Sequence, residues 1–227
     1  MVEYAWKNLI DGKIPTDCSI LTCCNYNLSE LPELPQTLKK LYCGFNCLSN
    51  LPKLPQKLEE LYCFNNILIW LSELPQTLQI LNCCNNNLNS LPKLQQTLKI
   101  LICDYNNFNE LPELPQPLIQ LYCNNNNLNE LPELPQTLKY LYCFNNKLNN
   151  LPELPQTLKK LYCNNNNLSN LPKLPQILIE LYCSHNNIKY LSYENCQIIR
   201  KLFWIDLLNN PFSANFTDND EFISSLE

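Results

Sequence analysis

The chain has 227 residues, with 16 Lys and Arg against 21 Asp and Glu and 14 cysteines among them. A formal charge of -5, with Lys and Glu interspersed, excludes the concentrated basic face that phosphate binding needs, and no apolar run approaches the ~20 residues that cross a bilayer. Neither nucleic acid nor membrane is therefore expected as a partner, and the length suits one domain.

The opening stretch, MVEYAWKNLIDGKIPTD, carries acidic residues and no long apolar segment, so it does not read as a secretory signal. An intracellular, cytoplasmic location follows as the expectation. Tyr4 or Ala5 stands at helical spacing from Leu9, which predicts a short helical cap over residues 1–17.

From about Cys18 to Leu191 the sequence repeats every 20 residues without insertion or deletion, in about nine units. Cysteine recurs from Cys23 to Cys183, each time with a leucine two residues before it. Asparagine stands three residues after the cysteine from Asn46 to Asn186, and only the first copy departs, with Tyr26. The pattern L-x-x-L-x-L-x-x-N-x-L, read as Leu158, Leu161, Cys163, Asn166 and Leu168, is the signature of a leucine-rich repeat.

Each unit supplies one short strand, KKLYC or its equivalent. Alternation puts leucine and cysteine on the inner face and tyrosine on the other. The cysteines are thus expected as reduced, small apolar core residues, because in-register parallel strands point their Cβ atoms the same way and give poor disulfide geometry. A column of one residue type also cannot surround a metal ion from four directions. Cys23-Cys24 and Cys83-Cys84 are adjacent pairs, not C-x-x-C motifs, and the single histidine, His185, reads as a surface residue.

The asparagine column is polar at an enclosed position, and its carboxamides are expected to satisfy the backbone groups that the turn takes out of the sheet. The remaining asparagines of NNNN suit turn residues in left-handed conformation. Paired prolines such as Pro152 and Pro155 disfavour a helix on the way back, so the return should be extended, with Leu151, Leu154 and Leu158 turned inward. The predicted fold is a repeat solenoid: an arc with a parallel sheet on its concave face, a polyproline-like convex side and short helical caps.

Tyr42, Tyr62, Tyr122, Tyr142, Tyr162 and Tyr182 fall on the concave sheet, which fits either a protein contact surface or a merely half-exposed strand. The middle units depart from the others. Asn82 and Ile102 replace the tyrosine, Ile80 and Ile100 replace a polar residue, Tyr105 joins from the turn, and Ile67, Ile69 and Trp70 stand at otherwise mostly polar positions. Either the copies have drifted or Tyr62, Trp70, Ile80, Ile100, Ile102, Tyr105 and Tyr122 form a candidate protein-binding surface. Local packing of Trp70 against the return segment, where Ser72 replaces proline, is a further alternative.

Beyond the array, NCQIIRKLFWIDLLNN spaces Ile198, Leu202, Ile205 and Leu208 as a helix that Asn209-Asn210-Pro211 stops, within a C-terminal cap and tail over 192–227. Sequons at Asn27, Asn167 and Asn215 are expected to stay unmodified in an intracellular chain.

LPELPQTLKKLYCNNNNLSN resembles the short bacterial-type repeats, L-P-x-L-P-x-x-L-x-x-L-x-x-x-x-N-x-L-x-x, of the YopM and IpaH/SspH effectors, with cysteine in place of a valine-like residue. Cysteine- and asparagine-rich arrays of giant DNA viruses are similar too. The resemblance to the effectors implies an intracellular module that binds a protein, in host cytoplasm for an effector or a viral protein. The ubiquitin-ligase domain of IpaH-like members is not expected, since Cys196 sits in ENCQII without that domain's C-x-D motif. No nucleophile–base pair, phosphate loop or metal-ligand spacing stands out, and no cofactor is expected. The expectation is a non-enzymatic scaffold for a protein of unspecified identity, with a structural or virion-associated repeat protein as the alternative.

Overall fold

The structure is a computed structural model, and it describes residues 2–6, 13–215 and 218–225. The chain divides into a first unit ending at Phe108 and a second beginning at Asn109.

The first unit holds strands β1 (Glu3–Ala5), β2 (Ile20–Thr22), β3 (Lys40–Tyr42), β4 (Glu60–Tyr62), β5 (Ile80–Asn82) and β6 (Ile100–Ile102). All pair in parallel, in chain order, and from β2 onward the register advances by one repeat per strand: Leu21 faces Leu41, which faces Leu61 and then Leu81 and Leu101. The second unit continues the pattern with β7 (Gln120–Tyr122), β8 (Tyr140–Tyr142), β9 (Lys160–Tyr162) and β10 (Glu180–Tyr182). Helix α1 (Tyr193–Ile199), strand β11 (Trp204–Asp206) and helix α2 (Asn219–Ser224) then close it.

Each strand is only three residues long because the coil must turn at both ends within a 20-residue period. From β2 to β10 the central leucine and the cysteine that follows are buried without exception, while the residues on the other face are half-buried. Two residues past the cysteine the backbone turns with positive φ, between 50° and 64° at Asn25, Asn65, Asn85, Asn125, Asn145 and Asn165. Asparagine tolerates that left-handed conformation better than other residues with a side chain, which accounts for its frequency there.

The next asparagine pins the turn. Asn66 Nδ2 donates to Cys43 O of the preceding coil at 3.0 Å and to Cys63 O of its own at 3.1 Å, while its Oδ1 accepts from Leu48 N at 2.9 Å. Asn46, Asn86 and Asn106 repeat the arrangement in the first unit, and Asn146, Asn166 and Asn186 in the second. Every bond lies within one coil or between it and the coil before.

Between β2 and β10 the return segments contain no regular helix or strand. Leu38 N, Leu58 N, Leu138 N and Leu158 N each close a tight turn on a proline carbonyl three residues back, at 3.0–3.1 Å. A second column, of threonine, supports that turn: Thr77 Oγ1 donates to Leu58 O at 2.7 Å and Thr157 Oγ1 to Leu138 O at 2.8 Å. At Gln95, where most coils have proline, the buried Nε2 donates to Leu74 O at 2.9 Å.

Both ends differ from the sequence-based expectation. Tyr4 and Ala5 lie in β1, paired to Leu21 and Thr22, rather than in a helix, and Leu9 is outside the described residues. The C-terminal helix ends at Ile199; Ile205 and Leu207 instead take the places of Leu181 and Cys183 in a degenerate final coil. Asn210 extends the asparagine column, accepting from Ile188 N at 3.2 Å and donating to Cys183 O at 3.0 Å. Asn195 on α1 meets the return segment in the same manner, with Leu174 N at 2.9 Å and Pro172 O at 3.0 Å.

Candidate protein-binding surface

Because inner positions are spent on leucine and cysteine, whatever the array presents to other molecules sits on the outer sheet face, the turns and the loops. In the second unit the sheet face is dominated by stacked rings. Tyr122, Tyr142, Tyr162 and Tyr182 have successive centroids 4.5, 4.6 and 4.3 Å apart with interplanar angles of 7°, 29° and 12°. The spacing is that of adjacent strands, so register alone forces the stack. Beside it Lys160 Nζ pairs with Glu180 Oε1 at 2.8 Å, and Tyr162 Oη donates to Glu180 Oε2 at 2.5 Å. Burial, and then that bond to a carboxylate, push the Tyr162 hydroxyl well above its ordinary pKa. Burial alone would raise Glu180, but the bonds from Lys160 and Tyr162 outweigh it and hold the carboxylate low.

In the first unit the same arrangement is confined to β3 and β4. Tyr42 and Tyr62 stack at 4.9 Å, and Lys40 pairs with Glu60 at 2.7 Å. On β5 and β6 the column is replaced: Asn82 opposes Ile102 and Ile80 opposes Ile100, leaving three half-buried isoleucines on neighbouring strands with no charge among them. Tyr62 lies one strand earlier, paired with Asn82. Tyr105 is in the left-handed turn after β6, with φ 52° and its side chain 57% exposed. Trp70, with Ile67 and Ile69, is exposed in the loop that leads into the return segment, and is therefore on a different part of the coil from the isoleucines. Tyr122 belongs to β7 of the second unit.

Several features are missing from the sequence-based list. Phe45 occupies the left-handed turn position with φ 54°, exposed and edge-on to Phe64 at 5.1 Å. Phe64 lies so close over Gly44 that a Cβ there would stand 2.8 Å from the ring. In the second unit Ile177, Ile179, Phe203 and Trp204 are exposed, Phe203 at 90%. Departure of a copy from its neighbours would have marked Phe45, Ile177 and Ile179; nothing in the period marks Phe203, since it lies past the regular array.

All fourteen cysteines are free. Burial pushes Cys23, Cys63 and Cys143 up to about 12, so these thiols stay protonated and unreactive at neutral pH. Among the described residues no group of His, Cys, Asp and Glu is placed to hold a metal ion, and no helix is long and apolar enough to cross a membrane.

No family model matches the chain, and no curated protein does. Solved structures do. YopM from Yersinia pestis, described as a leucine-rich effector protein, is 38% identical with a TM-score of 0.82, over 88% of this chain and 57% of that one. YopM from Yersinia enterocolitica is 31% identical with a TM-score of 0.74, over 91% of this chain and 50% of that one. A Shigella effector leucine-rich repeat domain is 26% identical with a TM-score of 0.54, over 86% and 82% of the two chains. This chain thus spans about half the length of the YopM chains it matches. With three-residue parallel strands, an inward leucine–cysteine pair and an asparagine at every turn, it is a leucine-rich repeat protein whose 20-residue repeats are of the bacterial, YopM-like type.

Proposed function

We propose that the chain is a non-enzymatic scaffold that binds another protein through the outer face of its sheet, with an effector-like role toward a host protein inside the host cell. The observation that carries this reading is the uncharged patch on β5 and β6, where Ile80, Ile100 and Ile102 stand together beside β3 and β4, whose same face carries tyrosines and the Lys40–Glu60 ion pair. Apolar side chains rimmed by polar ones favour a protein contact, and Tyr62 and Tyr105 supply amphipathic anchors at its border. Trp70, in the loop of the first unit, and Tyr122, on β7 of the second, are proposed as separate contacts outside this patch. The likeness to YopM, described as a leucine-rich effector protein, supports the reading.

The test is capture from host-cell lysate by the immobilised chain, compared with Ile100→Lys/Ile102→Lys and with a control, Gln76→Lys/Gln96→Lys, on the exposed return segment. The reading expects a stoichiometric partner that the first pair loses and the control keeps, with both variants unfolding at the wild-type temperature. A partner kept by the isoleucine variant sinks it.

A further inference from the structure

The last strand ends differently from those before it. In the second unit each coil sends the amide of its inner cysteine to the next strand: Cys143 N to Tyr162 O, Cys163 N to Tyr182 O and Cys183 N to Asp206 O, all at 2.8 Å. The matching amide in the final coil is Leu207 N, and the oxygen it meets at 3.0 Å is Oδ1 of Asn219, the first residue of α2. The same side chain returns its Nδ2 to Ile205 O at 3.3 Å. One carboxamide therefore supplies the acceptor and the donor that the backbone of a further strand would bring. An exposed strand edge is a template for pairing with another chain, and here a side chain occupies it.

Helix α2 has six residues, too few to persist alone, and it is seated through Phe222, 4% exposed and 5.2 Å from Phe212.

We propose that α2 is a removable plug on the edge of β11, and that the occupant it excludes is β1 of a second copy of this chain. The two edges of a parallel strand are not alike, so the edge that β11 leaves open is complementary to the outer edge of the strand that begins such a sheet. Among the described residues that strand is β1. Neighbouring residues of a strand turn their peptide groups to opposite edges. Val2 O receives Ile20 N from the β2 side, so Glu3 and Ala5 face outward. With the register carried on unchanged, the incoming Ala5 takes the place of Asp206 and Tyr182, its C=O receiving Leu207 N and its N–H reaching Ile205 O. These are the two bonds Asn219 now makes. Glu3 then faces Trp204 and Ala5 faces Asp206, so no like charges meet. The contact joins unlike surfaces and leaves both ends of the pair open, so copies add in a line rather than closing as a dimer. This inference is independent of the sheet-face contact proposed above.

Sedimentation velocity across a concentration series tests it with the full chain. Wild type should remain one small species. Asn219→Ala should form a series of larger species that grows with concentration, and at concentrations low enough to keep it dissociated hydrogen exchange at the Leu207 amide should speed up. Phe222→Ala, which unseats α2 without touching the edge, should do the same. Adding Ala5→Pro to either variant should return it to the small species, because proline removes the outward amide while the groups facing β2 remain. The proposal is overturned if both plug variants stay a single small species while Leu207 exchanges rapidly. It is also overturned if their association survives Ala5→Pro.

Discussion

Replacing Asn66 with alanine tests whether the asparagine column, and not the leucines alone, sets the stability of a coil. The residue is 8% exposed, and loss of its side chain removes one accepted bond, from Leu48 N, two donated bonds of about the same length, to Cys43 O and Cys63 O, and a longer third contact to Phe64 O, which keeps Phe45 N as a donor. These losses are unequal. Cys43 O also receives Asn46 Nδ2 at 3.1 Å, and Cys63 O also receives Asn86 Nδ2 at 3.1 Å, so both carbonyls keep a partner. The Leu48 amide has Asn66 as its acceptor, and Leu48 is fully buried. An orphaned buried donor costs about 1–3 kcal/mol and each exchanged bond about 0.5–1.5 kcal/mol, which together put Asn66→Ala near 3 kcal/mol. Urea unfolding followed by circular dichroism should show a lowered midpoint with an unchanged slope. A cost below about 1 kcal/mol would show that water or a neighbouring group replaces the carboxamide freely, and the account of the turn would fail.

In the cysteine column, Cys143→Ser should cost about 1–3 kcal/mol by burying a hydroxyl, whereas Cys143→Val should be nearly neutral, as read by the same urea midpoints. Alkaline stability follows from the same burial: a thiol held near 12 in the folded chain against 9.0 otherwise keeps its contribution below pH 9.0 and loses it as pH rises toward about 12. Unfolding midpoints should therefore fall across that window, and less so when Cys63 and Cys143 are both valine. Ser72→Pro should stabilise by about 1 kcal/mol in thermal unfolding, since Ser72 Oγ is buried without a hydrogen-bond partner and most coils carry proline there. Tyr105→Asn should raise stability by about 1 kcal/mol by relieving a left-handed turn, and on the proposed function it should weaken partner capture.

The inner face was legible because its chemistry is periodic. Leucine and cysteine two apart can only be an inward pair on a strand, and a polar residue at a fixed enclosed position had to be answering backbone groups. The ends were not legible, for reasons that can be named. Ile205, Leu207 and Asn210 repeat the spacing of Leu181, Cys183 and Asn186, but α1 shifts them by four residues from the 20-residue register, and Ile198, Leu202 and Ile205 mimic a helical stripe. Asn209-Asn210-Pro211 reads as a helix stop, whereas Asn209 makes the left-handed turn, with φ 57°, and Asn210 the column bond. In β1, three residues give no alternation to detect. Of the candidate surface, alternation placed Ile80, Ile100 and Ile102 correctly on one strand face, while the loop position of Trp70 needed the path of the backbone after the turn.

The sharing of each cysteine carbonyl between two carboxamides bears on how such a gene changes length. Every asparagine looks only to its own coil and the one before, so excising 20 residues within a unit brings together groups chemically identical to those removed. Unequal recombination between copies therefore yields chains whose internal seams are already matched, and the array can gain or shed whole coils without passing through a misfolded ancestor. Asn195, Asn210 and Asn219 stand outside the 20-residue register, so an exchange in that register leaves their bonds as they are.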